Sequence, residues 1–185
     1  MTTLLEPKLL TAKEYGRLPN SGKLTELARG RIVEVNRPYT MHGYQVYRVA
    51  MLLGQFVDQH RLGWIVAGNA GVVTQRDPDT VRGPDVAFYS YQRVPRDSRP
   101  DGYWPASPEL VVEVRSVSDR WKDVLLKVAE YLSADVLTVA VIDPVSHRVH
   151  VYSADNETTI FNAADLLSFP GVLPGFEVVA ERLFE

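Results

Sequence analysis

Between residues 108 and 116 the chain reads Pro-Glu-Leu-Val-Val-Glu-Val-Arg-Ser, with Leu110, Val111, Val112 and Val114 around a single carboxylate at Glu113. A run this apolar and β-branched predicts a strand buried on both faces. A second wholly apolar run, Val136 to Ile142, is ended by Asp143-Pro144. Between the two, Trp121, Val124, Leu125, Val128 and Leu132 fall on one face of a helix, with Ser118 placed to cap it. Buried strand, helix, buried strand predicts a βαβ unit with a parallel pair. Arg148 to Tyr152 alternates and predicts a half-exposed strand in a hairpin with the second run.

Upstream, Thr11-Ala12-Lys13-Glu14 has the capping-box pattern and predicts a short helix to about Leu18, stopped by Pro19. The runs Leu24–Leu27 and Ile32–Val35 flank Arg29-Gly30 and predict a β-hairpin, ended by Pro38. Val46, Val49, Leu53, Phe56 and Val57 recur at helical spacing, predicting a long helix from Met41 to about Gln59 with Gly63 marking its end. Trp64–Val66, Val72–Thr74 and Val86–Tyr89 read as strands, with a turn at Asp77-Pro78-Asp79. Residues 91–108 are polar and rich in Pro and Arg, which predicts a long surface loop of the functional or mobile kind. The C-terminal stretch carries Leu166, Leu167 and Phe169, a Leu173-Pro174-Gly175-Phe176 turn, and Leu183-Phe184. The expected fold class is α/β (α+β): a mixed central β-sheet flanked by helices, with an N-terminal helix and β-hairpin.

Composition narrows the classes. At 185 residues and 45% hydrophobic content the expectation is one domain, 1–185, with a real core. A net charge of -3 provides no strong basic field for non-specific nucleic-acid binding, although a local basic patch can sit beside an acidic site. The absence of cysteine rules out disulfides and thiolate metal sites and fits a reducing cytoplasm. No apolar run approaches the roughly 18 residues that span a bilayer, and the N-terminus, with Glu6, lacks the apolar core of a signal peptide. The expectation is a cytoplasmic protein with no membrane partner.

Against that background Glu113 stands out. A charge in a buried strand costs roughly several kcal/mol unless a cation or a metal compensates it. Asp85 opens another strand, and if the two strands are neighbours both carboxylates reach one cleft at a sheet edge. Two or three converging carboxylates suit Mg²⁺ or Mn²⁺. Such an ion would polarise a phosphoryl oxygen and lower the pKa of a bound water. Lys127 lies at the boundary of the apolar helix face, next to Tyr131, and its stem can reach the same cleft. Glu26, in the hairpin, is the third carboxylate.

Each residue has a structural alternative. Asp85 suits a turn before a strand. Glu113 can pair with Arg115 or another arginine. Lys127 has Asp123 four positions earlier, an exposed helix pair worth a few tenths of a kcal/mol. Glu26 can be solvated, and His42 at a helix start is more often structural than a ligand. His60, His147 and His150 have no metal-site spacing, and Glu109, in the loop before the strand, makes no convincing pair with Glu113.

Taken together, Arg82-Gly83-Pro84-Asp85-Val86, then Pro108 to Ser116, then Lys127 with Tyr131 one turn later, resemble the PD-(D/E)XK restriction-endonuclease-like superfamily. Within it the pattern is similar to the bacterial Uma-two family. Thr11 to Glu14, Glu26-Leu27-x-x-Gly30, His42 and Leu173-Pro174-Gly175 fit as well, so the resemblance covers nearly the whole chain. It implies helices around a mixed sheet, a divalent-metal nuclease site at the sheet edge, and DNA as partner. Carried over by residue, Asp85 and Glu113 would be the metal ligands and Glu26 the acidic residue of the N-terminal region. Much of the superfamily has a Lys two residues after the second acid. Here that position is Arg115, which stays protonated and cannot act as a base. Lys127 would take the Lys role from the following helix, with Arg115 free to clamp a phosphate. Arg93, Arg96 and Arg99 are candidate backbone contacts or simply solvated charges, and a homodimer would let both strands be cut. The competing expectation is a non-catalytic binding module on the same fold, with Glu113–Arg115 as a structural pair. A glycosidase carboxylate pair is not called for by the apolar strand setting.

Overall fold

In the computed structural model, which describes residues 8–19, 21–98, 101–154 and 156–185, the capping box forms. Thr11 Oγ1 accepts from the Glu14 N–H, and the Glu14 carboxylate accepts from the Thr11 N–H. Helix α1 (Ala12–Tyr15) stops before Leu18. Arg17 and Leu18 bond back three residues, to Glu14 and Tyr15, so the chain tightens into turns rather than continuing as α-helix. Strands β1 (Thr25–Ala28) and β2 (Arg31–Glu34) form the expected hairpin. Arg29 and Gly30 both take positive φ, 48° and 75°, as a two-residue turn matched to strand twist requires.

Helix α2 (Thr40–His60) ends on Arg61 in the left-handed conformation, not on a glycine. Gly63 instead opens β3 (Gly63–Ala67), where an added Cβ would lie 2.0 Å from the Tyr89 carbonyl oxygen. The glycine therefore serves strand approach rather than helix termination. Then come β4 (Val72–Gln75), β5 (Thr80–Arg82), β6 (Val86–Ser90) and β7 (Leu110–Val114). At three residues, β5 is too short to show a period. Helix α3 (Trp121–Ser133) has Arg120 at its N-cap with no side-chain cap. Ser118 does not cap it; Asp119 holds the loop by accepting from the Ser116 N–H at 2.8 Å.

The chain finishes with β8 (Thr138–Asp143), β9 (Arg148–Ser153), β10 (Asn156–Asn162), β11 (Leu166–Phe169), β12 (Leu173–Val179) and a 3-10 turn over Ala180–Leu183. Strand β12 runs through the expected Leu173–Phe176 turn. Pro174, Gly175 and Phe176 bulge out between the pairs Phe169–Leu173 and Ser168–Glu177, with Gly175 at φ 86°.

The strands form a six-stranded sheet in the order β10-β9-β8-β7-β6-β3, a four-stranded sheet β2-β1-β5-β4, and the β11-β12 hairpin. In the six-stranded sheet β7 and β8 pair in parallel, with α3 as the crossover, while their neighbours pair antiparallel. The sheet is therefore mixed and contains the expected βαβ unit. Val49, Leu53 and Val57 of α2 cover one face, against Val86, Val112 and Ile142, together with Leu167, Phe176 and Leu183. On the other face Val124, Val128 and Tyr131 of α3 pack on Val111, Val139 and Val141.

Residues 91–98 and 101–108 form the expected long surface loop, nearly all of it exposed or half-buried, and it lies over the rest of that second face. Val94 is 1% exposed, and Trp104 meets Tyr89 and Trp64 edge-on. The Trp64 indole donates to the Val94 carbonyl at 3.1 Å. A few apolar anchors in a polar segment are enough to dock it. Arg93 donates to the carbonyls of Ser107 and Asp135 and lies 3.4 Å from Glu109, so it clamps this cover internally instead of facing solvent. Arg96 is exposed, and Arg99 lies outside the described residues. Among the described residues no helix is long and apolar enough to cross a membrane.

Gly63→Ala should therefore lower unfolding free energy by about 3 kcal/mol through overpacking, measured by urea denaturation. A loss under about 0.5 kcal/mol would mean that β3 and β6 separate freely at this point.

Candidate active site

Antiparallel pairing of β6 with β7 sets Val86 opposite Val112, so one step further along the ladder brings Asp85 level with Glu113. Asp85 Oδ2 accepts from the Val114 N–H at 2.7 Å. His42, in the first turn of α2, directs Nε2 to the Val114 carbonyl at 2.9 Å and lies 3.4 Å from the same Asp85 oxygen. Asp85 holds the His42 imidazole above its usual pKa, against the effect of burial. The sequence marks His42 as a helix-start residue that fits the family resemblance, and nothing local in the pattern points from it to Asp85.

Glu113 alternates with Val112 and Val114 and so turns to the α3 side of β7. There the hydroxyl of fully buried Tyr131 donates to Glu113 Oε1 at 2.7 Å. Burial raises the Glu113 carboxyl to about 7, with the Asp85 and Glu26 charges adding to the rise and Lys127 and the Tyr131 hydroxyl opposing it. Those four influences mark one neighbourhood: Glu26, Asp85, Glu113 and Lys127 are brought together.

Lys127 lies one turn before Tyr131 on α3 and points inward. Its Nζ donates to Glu26 Oε1 at 3.1 Å, rather than reaching Asp123 along the helix. Burial disfavours its charge, yet the carboxylates of Glu113 and Glu26 keep its pKa raised. Glu26 is buried, not solvated. It accepts from Lys127, from the Gly83 N–H at 3.2 Å, and from Arg82 at 2.7 Å. Burial pushes Glu26 up, but Lys127 and Arg82 outweigh it and lower its pKa. Arg82 also forks onto Glu130 of α3 at 2.6 and 2.8 Å, tying β5 and the hairpin to that helix. The sequence reading gave Arg82 and Glu130 no role; the only available signal was an arginine directly before Gly83-Pro84-Asp85.

Arg115 does not pair with Glu113. Its guanidinium donates to Asp143 at 2.9 Å and to the Asp119 carbonyl at 3.2 Å, and lies 5.2 Å from the centre of the Trp121 ring. Asp143 is drawn to this end of β8 by the Ser146 hydroxyl and the Val145 N–H as well. The Glu113–Arg115 pair thus gives way to Arg115–Asp143.

Among the described residues no three His, Asp or Glu side chains form a metal-binding group, and no Lys or Arg forms an ion pair with Asp85 or Glu113. Glu26 already serves three donors. The oxygens left to a cation are those of Asp85 and Glu113. A pair of hard carboxylates fits Mg²⁺, which is commonly bound through one or two carboxylates, waters and substrate phosphate.

Residues 12–181 match the Uma2 family, described as "Putative restriction endonuclease". The chain belongs to the Uma2 family. It also superposes with TM-score 0.81 on the crystal structure of a protein described as "a putative nuclease belonging to DUF820" from Anabaena variabilis ATCC 29413, at 19% identity over 95% of this chain and 97% of that chain. At that identity the likeness speaks for a shared fold. Among curated proteins none matches. The Uma2 match spans every element that builds the site, from the α1 residues to the 3-10 turn.

In this Uma2 chain the raised Glu113 pKa makes a signed prediction for the metal-free protein. Below about pH 4.5, the ordinary carboxyl value, both folded and unfolded states hold the proton. Between 4.5 and 7 the unfolded state releases it first, so stability falls as pH rises, and the penalty is complete above about 7. Glu113→Gln, which keeps an acceptor for Tyr131, should be more stable than wild type at pH 8 by about 1–3 kcal/mol, one pKa unit being about 1.4 kcal/mol. The two should converge near pH 5. Denaturant melts in chelator at both pH values check this, and a wild type as stable as the variant at pH 8 would rule it out.

Proposed function

We propose that this Uma2 chain is a metal-dependent endonuclease that hydrolyses DNA phosphodiester bonds. The observation that carries the reading is the Asp85–Glu113 pair, which among the described residues has no Lys or Arg ion-pair partner and stands beside the inward-facing Lys127. Asp85 and Glu113 would hold Mg²⁺ or Mn²⁺, which when bound supplies Lewis-acid polarisation of the phosphodiester and an activated water. The chain's own groups divide the remaining work. Tyr131 fixes the Glu113 carboxyl by donating to Oε1. Lys127 places an ammonium where negative charge develops on the phosphoryl oxygens or where the attacking water is oriented. Glu26, with its oxygens already engaged, orients Lys127, and Arg82 holds Glu26. Arg115 is bound to Asp143 and stands outside this set.

DNA is the partner this chemistry implies, and cutting both strands calls for two sites, hence a homodimer. A chain without cysteine suits the reducing cytoplasm, where we place it. The second reading, a non-catalytic binding module, draws support from one observation: Lys127 is already paired with Glu26.

Supercoiled plasmid and single-stranded DNA incubated with wild type, Asp85→Asn, Glu113→Gln and Lys127→Met, each folded by circular dichroism, distinguish the two. We expect wild type to cleave with Mg²⁺ or Mn²⁺ and not with chelator, and the two carboxylate variants to be inactive. Lys127→Met should lose about 100- to 1000-fold, the usual cost of one transition-state donor. Cleavage that survives chelator, or carboxylate variants as active as wild type, would overturn the nuclease assignment. No Mn²⁺ binding by calorimetry would favour the binding module.

A further inference from the structure

We infer that His42 is a positioning residue that sets the Asp85 and Glu113 carboxylates for a divalent cation, an inference that rests on the metal reading above. His42 Nε2 lies 2.9 Å from the Val114 carbonyl and 3.4 Å from Asp85 Oδ2. Both neighbours accept, so Nε2 carries the proton. The Val114 N–H donates to that same Asp85 oxygen at 2.7 Å. Val114 is therefore gripped at both ends, its N–H by Asp85 and its carbonyl by His42. Val114 follows Glu113 directly, so one imidazole fixes the carboxylate of Asp85 and the backbone that aims Glu113. Both side-chain contacts of Asp85 among the described residues fall on Oδ2.

Through Nε2 the ring meets the Val114 carbonyl and the Asp85 carboxylate together. The hold of α2 on the sheet comes from Val49, Leu53 and Val57, further along the helix, and does not need an imidazole in the first turn. Partners that orient metal-binding carboxylates from behind are costly to lose, typically about 10- to 100-fold in metal affinity.

The test is Mn²⁺ binding by calorimetry on folded wild type, His42→Leu and His42→Gln, with nitrogen-15 NMR of the wild-type imidazole in chelator. A glutamine amide N–H can stand where Nε2–H stands, whereas leucine offers no donor. The expected result is a loss of about 10- to 100-fold in Mn²⁺ affinity for His42→Leu, recovery to within about threefold for His42→Gln, and a proton on Nε2 in the metal-free wild type. Equal Mn²⁺ affinity in wild type and His42→Leu overturns the inference and leaves the metal reading standing. A wild type that binds no Mn²⁺ removes both. If His42→Leu fails to fold, the NMR result decides: a neutral ring with its proton on Nδ1 overturns the inference, and one on Nε2 with affinity kept in His42→Gln upholds it.

Discussion

Glu113 is a carboxyl set into a strand whose other four residues are buried, and the elements around it are arranged in answer to that charge. Burial, joined by the Asp85 and Glu26 charges, drives the group toward its neutral form and raises its pKa to about 7. The polar groups that reach it come from one helix, through Tyr131 and Lys127. Lys127 is not given to Glu113 alone, because Glu26 takes its hydrogen bond. Arg82 in turn divides itself between Glu26 and Glu130. The two firm cations thus serve Glu26 and Glu130 directly, and neither forms an ion pair with Asp85 or Glu113. A cluster built only to neutralise this acid would have placed an arginine against Glu113; here Arg115, two residues further along, turns to Asp143.

Topology explains why these groups meet. A parallel β7–β8 pair needs a crossover, and the helix that provides it lies on the face to which Glu113 points. Helical spacing then puts positions 127 and 131 one turn apart over that face. The antiparallel β6–β7 pair fixes where Asp85 arrives, since the register sets Val86 against Val112. On the other face α2 packs by its middle turns and presents its first turn at the strand ends, which is where His42 stands. The candidate site sits at the seam between the two cores, where each layer contributes a polar end.

What the sequence makes legible follows from how local each signal is. The Thr11 capping box, the Arg29-Gly30 hairpin and the strand–helix–strand unit are written in neighbouring residues, and each forms. Asp85, Glu113 and Lys127 stand out because a charge in or beside an apolar run demands an explanation. The three-residue β5 and the polar β10 offer no period to read. Gly63 misleads because a glycine after a helix resembles a stop, whereas it yields room for the Tyr89 carbonyl. The docking of the surface loop on the second face is hard to read because Val94 and Trp104 are few among prolines and arginines, although two anchors suffice when Tyr89 and Trp64 lie beneath them. Arg82–Glu130 bridges 48 positions; like His42–Asp85, it leaves no pattern within either segment, and pairs of that kind become visible only when the chain is folded.

Arg115 carries the last consequence. The superfamily resemblance would place a lysine here, two residues after the second acid. Alternation along a strand would then set its ammonium beside Glu113. In this chain the Arg115 N–H extends the ladder to Ile142, but the guanidinium is drawn off by Asp143 and the Trp121 ring. The ammonium comes instead from α3, and a long side chain reaching down from a helix is aimed by whatever holds its tip. That tip is held by Glu26, on β1 of the N-terminal hairpin. On the proposed reading, a lysine on the helix instead of the strand would make the hairpin part of the candidate site: Glu26 and the Arg82 that secures it would supply the alignment that a strand position supplies through backbone geometry alone.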